Sequence, residues 1–70
     1  MSTQAQEAHD QRVQIMKDAS EGRIPMREAL RKCRQIFAEA RTSGYARELS
    51  ALWRAHSRAT IAAYKAEFGR

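Results

Sequence analysis

Residues that interrupt helices are scarce in this 70-residue chain, which contains one proline and three glycines. Gly22 and Pro25 lie close together, whereas Gly44 and Gly69 stand alone. Glycine ends helices by adopting a left-handed conformation, and proline fits the first turn of a helix. The stretches between these breaks lack the alternation of apolar and polar residues that is typical of strands. The chain is therefore predicted to be an all-α domain with three helices, at about 3–21, 25–41 and 45–68.

The apolar residues of the second predicted helix recur at helical spacing and indicate its buried side. At about 100° per residue, they fall within roughly 120° of the helix circumference. The first helix has a weaker apolar stripe, which Arg12 interrupts. These patterns predict an antiparallel hairpin of helices 2 and 3, with the weaker first helix packed across it. The core is predicted to contain Leu30, Ile36, Phe37, Leu49, Leu52 and Trp53.

The third predicted helix has two apolar faces. Its broad aromatic face runs from Tyr45 through Leu49 and Trp53 to Tyr64, and it has to contact the other helices. Alanine favours helix even on a solvent face, but a row of alanines also lets another helix approach closely. Because domains this small are often stabilised by self-association, we expect these alanines to contact helix 1 or a second copy, and we expect a homodimer. The alanine face consists of Ala51, Ala55, Ala59, Ala62 and Ala66.

The chain carries a net charge of +5 that is unevenly distributed. Residues 1–22 hold two bases and four acids, a net charge of −2, whereas residues 23–70 hold eleven bases and four acids, a net charge of +7. This asymmetry favours an anionic partner, although an arginine-rich helical surface without a partner would also produce it. The candidate partner-binding residues form stripes on two helices: Arg27, Arg31, Arg34 and Arg41 on the second, and Arg47, Arg54, Arg58 and Lys65 on the third.

The predominance of arginine suits bidentate contacts with either carboxylates or phosphates. The second and third predicted helices, at about 17 and 24 residues, are too long for a compact helix-turn-helix. Glutamates at positions 28, 39, 48 and 67 interrupt the positive field, and the sequence has no unstructured basic arm. An acidic protein surface is therefore the favoured partner, and nucleic acid is the alternative.

Catalytic and metal-binding chemistry has little support in the sequence. His9, His56 and Cys33 fall on three different predicted helices and lack the paired spacing of metal ligands. Ser57 directly follows His56, which places the two side chains about 100° apart on a helix and prevents a nucleophile–base pair. His56 is expected to be half-buried and bonded to a neighbouring side chain, and Cys33 to be buried and inert. We expect a regulator, adaptor or inhibitor with no enzyme activity and no cofactor.

The sequence also indicates a compartment. No apolar run approaches the roughly 20 residues of a membrane span, and residues 1–10 are too polar for a signal peptide. Cys33 is the sole cysteine, so no disulfide can form within the chain, and a lone thiol suits a reducing environment. The expectation is a single cytoplasmic domain over residues 1–70 with no membrane contact.

Overall fold

A computed structural model of the chain describes residues 3–68 and confirms the all-α, three-helix prediction. The helices are α1 (Thr3–Ser20), α2 (Met26–Ser43) and α3 (Ala46–Phe68), so each predicted boundary lies within two residues of the observed one. No strand occurs within residues 3–68. Gly69, which was predicted to end the third helix, lies outside the described residues.

The breaks between the helices follow the predicted glycine and proline chemistry. Gly22 and Gly44 adopt left-handed backbone conformations, with φ of 79° and 87°. The Gly44 N–H donates to the Ala40 carbonyl at 2.9 Å and so closes the last turn of α2. Pro25, with φ −64° and ψ 145°, lies in extended conformation immediately before α2. These local preferences account for where the helices begin and end.

Helix α1 packs across both other helices. It contacts α2 and α3 more extensively than those two contact each other. Ala8 and Arg12 of α1 lie beside Leu49 and Trp53 of α3, respectively, so α1 and α3 run in the same direction. Helices α2 and α3 form the predicted antiparallel hairpin, joined by residues 44–45. Arg12 of α1 lies near both Phe37 of α2 and Trp53 of α3, so α1 packs against the two arms of this hairpin.

The core is small and centres on the joint between α2 and α3. Leu49 is fully buried, and Ala8 and Ala40 pack with it. Ile36 and Phe37 are partly buried against this cluster. The remaining alanines of the core, at positions 5 and 29, have no exposed surface. Small side chains therefore let the three helix backbones approach closely where they meet.

The core prediction is right for Leu49, only partly right for Ile36, Phe37, Leu52 and Trp53, and wrong for Leu30. Leu49 is buried, and Ile36, Phe37, Leu52 and Trp53 are half-buried, but Leu30 is 45% exposed. Leu30 borders a gap between α1 and α2, where the charged side chain of Arg12 takes the place of an apolar neighbour. Cys33 borders the same gap and is half-buried, so the expectation of a fully buried thiol is also wrong.

The second half of α3 has little cover from the rest of the chain. Every residue from 58 to 67 is exposed, which includes the end of the predicted aromatic face at Tyr64. Helix α3 has 23 residues whereas α1 has 18, so α3 extends roughly 7 Å further at 1.5 Å per residue. The five alanines of the second face are exposed as well, and α1 does not cover them. The expectation that helix 1 contacts the alanine face is therefore wrong.

Candidate functional site

The structure places three of the predicted basic residues around one groove. Arg41 at the end of α2 and Arg47 and Arg54 on α3 line an open depression of about 460 Å³ between these helices. Its remaining lining residues are Phe37, Ala46 and Ser50. Arg47 and Arg54 share one side of α3 because they are seven residues, or about two turns, apart. The three side chains are all exposed, so their charges are available to an incoming anion.

A second groove adjoins the first at Phe37. It has a volume of about 530 Å³ and lies between α1 and α2, where Arg34 and Arg12 supply its charge. Leu30 and Cys33 supply its apolar surface. We call the combined surface the arginine groove, and its lining residues are Arg12, Leu30, Cys33, Arg34, Phe37, Arg41, Ala46, Arg47, Ser50 and Arg54.

The other four predicted basic residues lie elsewhere. Arg27 and Arg31 border a separate depression at the start of α2 together with Glu28, whose Oε1 lies 3.8 Å from Arg31 Nη2. Exposed ion pairs of this kind contribute little to stability. Arg58 and Lys65 are exposed on the uncovered half of α3. The predicted stripes are thus real exposed surfaces, but only half of their residues converge.

The glutamates of α2 and α3 lie away from the arginine groove. At about 100° per residue, Glu28 and Glu39 are on the side of α2 opposite the stripe of Leu30, Arg34 and Arg41. The two glutamates of α3 are about 100° or more from Arg47 and Arg54. No carboxylate lines the arginine groove among the described residues. The acidic residues therefore interrupt the charge pattern along the sequence but not across this surface.

Arg12 is the functional candidate that the sequence analysis missed. Its guanidinium carbon lies 4.4 Å from the ring centroid of Trp53 and 5.9 Å from that of Phe37. A guanidinium over an aromatic face is attracted by the ring, and the attraction strengthens with desolvation. Its Nε and Nη1 atoms are buried without a hydrogen-bond acceptor. A buried donor that lacks an acceptor costs about 1–3 kcal/mol, so the fold holds Arg12 in place at a penalty.

Two histidines and the single tryptophan form a second cluster, between α1 and α3. The His9 ring centroid lies 5.6 Å from that of His56 and 6.1 Å from that of Trp53. His56 is half-buried, as predicted, and it also packs on Trp53 at 5.5 Å between ring centroids. The parallel course of α1 and α3 creates this cluster, because it brings position 9 opposite positions 53 and 56.

His9 has a lowered pKa. Desolvation by burial is the largest cause, and the charges of His56 and Arg12 act in the same direction, while Asp10 partly opposes them. The Nδ1 atom of His9 is buried without a hydrogen-bond partner, which fits a ring that is held neutral. A proton added here would place a positive charge beside the guanidinium of Arg12.

We expect the stability of the protein to fall as the pH drops below about 6.5. In that range the unfolded chain binds a proton at His9 with the ordinary pKa of 6.5, while the folded chain resists it. The unfolded state then binds more protons, so acid favours unfolding. Urea unfolding midpoints between about pH 7.5 and pH 5.5, above the titration of most carboxyl groups, measure this effect. The variant His9→Gln should flatten the profile, and an equally steep profile in that variant would contradict the assignment.

No cluster of three metal-ligating side chains occurs in the part of the chain that the structure describes. Comparisons with protein-family models, with curated proteins and with solved structures found no match. Within residues 3–68, none of the helices combines the length and apolar character that crossing a bilayer requires. The arginine groove is therefore the best-defined candidate site.

Proposed function

We propose that this protein is a small, non-catalytic cytoplasmic regulator, adaptor or inhibitor that docks on an acidic surface of a larger protein. The arginine groove is its docking surface, and the basic residues of the flanking stripes add long-range attraction. The observation that carries this proposal is the convergence of Arg41, Arg47 and Arg54 on a groove that no described carboxylate lines. Such a surface attracts anions and orients their approach.

Exposed apolar side chains favour a protein partner over nucleic acid. Met26 and Leu30 on α2 are 49% and 45% exposed, and Ile61 and Tyr64 on α3 are 53% and 64% exposed. On each helix these residues fall within about 120° of arc together with the arginines. Protein interfaces combine buried apolar anchors with arginine, whereas a phosphate backbone would leave the apolar side chains in water.

A pull-down with the tagged protein from native lysate, with and without nuclease, tests this function. The proposal is supported if a bound protein stays in place after nuclease treatment. The same protein should not be retained by a variant with reversed charges in the groove. Nucleic acid bound by the same arginines is the alternative function. Loss of all bound material on nuclease treatment would favour that alternative.

We further propose that the chain forms a two-fold homodimer through the alanine face of α3. Residues 58–67 are exposed, and an isolated helical segment of that length is marginal in water. The centre of the alanine face lies about 80–100° around α3 from Arg47 and Arg54, and none of its alanines lines the arginine groove. Burying this helix against a second copy would supply the cover that α1 and α2 do not provide.

Light scattering at micromolar concentration is expected to give twice the chain mass of 8.0 kDa. Ala55→Glu and Ala62→Glu should each yield monomers with unchanged helicity, because both positions are exposed in the single chain. Thr60→Glu, a change to the same acid at an exposed position about 140–160° around α3 from these two alanines, serves as the control. If light scattering of the unmodified protein gives the mass of a single chain, the proposed dimer is refuted.

A further inference from the structure

The apolar and basic residues of the arginine groove alternate along α2 at the spacing of helix packing. Leu30, Arg34, Phe37 and Arg41 are separated by four, three and four residues. Alternating steps of four and three residues form the lengthwise stripe by which two helices pack side by side. The stripe extends over eleven residue steps, or about 16.5 Å at 1.5 Å per residue, which is three helical turns.

We propose that the arginine groove receives a single acidic amphipathic helix of the partner protein, one of whose carboxylates binds Arg12. This inference rests on the proposed function and names the element of the partner that binds. The occupying helix carries apolar residues that face Leu30 and Phe37 and carboxylates that face Arg34 and Arg41. On the face of the partner's helix that enters the groove, apolar and acidic residues therefore alternate over about three turns.

A helix fits this surface better than an extended peptide. Extended peptides bind by adding a strand to the exposed edge of a sheet, and residues 3–68 contain no sheet. The backbone groups of α2 and α3 are already bonded within their own helices, so they offer an extended peptide few hydrogen bonds. A helix satisfies its own backbone and needs only side-chain contacts from the groove.

Arg12 gives the groove a specific recognition point for a carboxylate. Its guanidinium is stacked on Trp53 and also lies near Phe37, so its position is set before a partner arrives. Its Nε and Nη1 atoms are buried, so a partner approaches the part of Arg12 that lines the groove, where no carboxylate among the described lining residues neutralises its charge. A carboxylate that enters the groove supplies the counter-charge that the chain itself does not. Charge-assisted bonds to arginine are stronger than neutral ones, especially where water is excluded.

A synthetic peptide of about 15 residues, long enough for four helical turns, is the direct probe. Leucine and glutamate are placed on one face at the i, i+4, i+7, i+11 spacing of the groove, and the control peptide has the same composition in scrambled order. Binding is followed by the fluorescence of Trp53, the single tryptophan, which Arg12 contacts. Slower alkylation of Cys33, the single cysteine, reports on occupancy of the groove itself.

The patterned peptide is expected to bind at least tenfold more tightly than the scrambled one and to protect Cys33. Arg12→Gln should weaken its binding by tenfold or more. Arg23→Gln is the matched control, because Arg23 lies outside the groove and pairs with Asp18 and Glu21 at 3.2 Å. Arg34→Gln provides a second variant on an exposed position, in case Arg12→Gln fails to fold. We expect it to weaken binding as well.

Several outcomes would overturn the inference. Equal binding of the two peptides would mean that the groove responds only to charge. If Arg12→Gln or Arg34→Gln left the affinity for the patterned peptide unchanged, that arginine would have no role in binding the helix. Stronger protection of Cys33 by an oligonucleotide than by the patterned peptide would assign the groove to nucleic acid. The peptide is also added to the pull-down. A partner that depends on the groove arginines but is not displaced by the peptide would refute the helical occupant while leaving the proposed function intact.

Discussion

Replacing Leu49 by alanine is expected to remove a large part of the free energy of unfolding of the protein. Leu49 is the largest side chain that is fully buried among the described residues, and it packs where all three helices meet. A buried leucine-to-alanine change costs about 2–5 kcal/mol because it removes apolar contacts and leaves a cavity. A domain of this length has a total stability of roughly 4–10 kcal/mol, at about 0.05–0.15 kcal/mol per residue. Urea unfolding followed by circular dichroism measures the loss.

Leu30→Ala is the matched control for this change. It removes the same atoms from a side chain that is 45% exposed, so no closed cavity forms. We expect a cost of about 1 kcal/mol or less, within the range of surface substitutions. Similar losses for the two variants would mean that the core extends along α2 to Leu30, as the sequence analysis first predicted.

Reversing the charges of Arg41, Arg47 and Arg54 to glutamate is expected to weaken partner binding by at least 100-fold. All three side chains are exposed, so the helices should form as before. The variant places carboxylates in the groove where the partner presents its own, and like charges brought together cost several kcal/mol. Isothermal titration or a quantitative pull-down measures the loss, and far-ultraviolet circular dichroism verifies the fold.

The control for this variant reverses Arg27, Arg31 and Lys65, which changes the net charge by the same amount outside the arginine groove. We expect only a modest loss, which salt should reduce because distant exposed charges are screened. Equal losses in the two variants would indicate that total charge, and not the groove, determines binding.

Salt dependence separates the two classes of partner. Nucleic acid held by three phosphate contacts should weaken with a log–log salt slope near −3, at about −0.9 for each contact. A protein partner should show a shallower slope and should also lose affinity in Phe37→Ala, because a few buried anchors dominate such interfaces. We expect the second pattern.

The sequence was sufficient to predict the helices because their ends depend on local chemistry. Gly22, Pro25 and Gly44 each act through their own backbone angles, so no knowledge of the packing was needed. The exposure of the basic residues also followed from their angular positions. The convergence of some of them on one groove did not, because it depends on how the three helices pack against one another. The alanine contact with helix 1 failed for the same reason.

Arg12 illustrates what pattern reading overlooked. In the sequence, Arg12 interrupts the apolar stripe of helix 1. Its spacing of seven residues from Ala5 and four from Ala8 nevertheless places it on the contact face of that helix. That mismatch was itself a signal, because a charged residue on a contact face requires aromatic or polar neighbours. Phe37 and Trp53 lie on other helices, and only the tertiary arrangement shows that they meet Arg12. The cluster of His9 with His56 was overlooked likewise, since it requires the parallel alignment of α1 and α3.

The uncovered half of α3 gives the protein an uneven resistance to degradation. Exposed helical turns open locally without disturbing the core, so residues 58–67 should exchange their amide hydrogens far faster than residues around Leu49. Proteases cut the segments that open, and their rate follows the population of the open form. Any chain that covers this segment, whether a second copy or another protein, would lengthen the lifetime of the molecule. Copies that have found no partner would be the first to be removed.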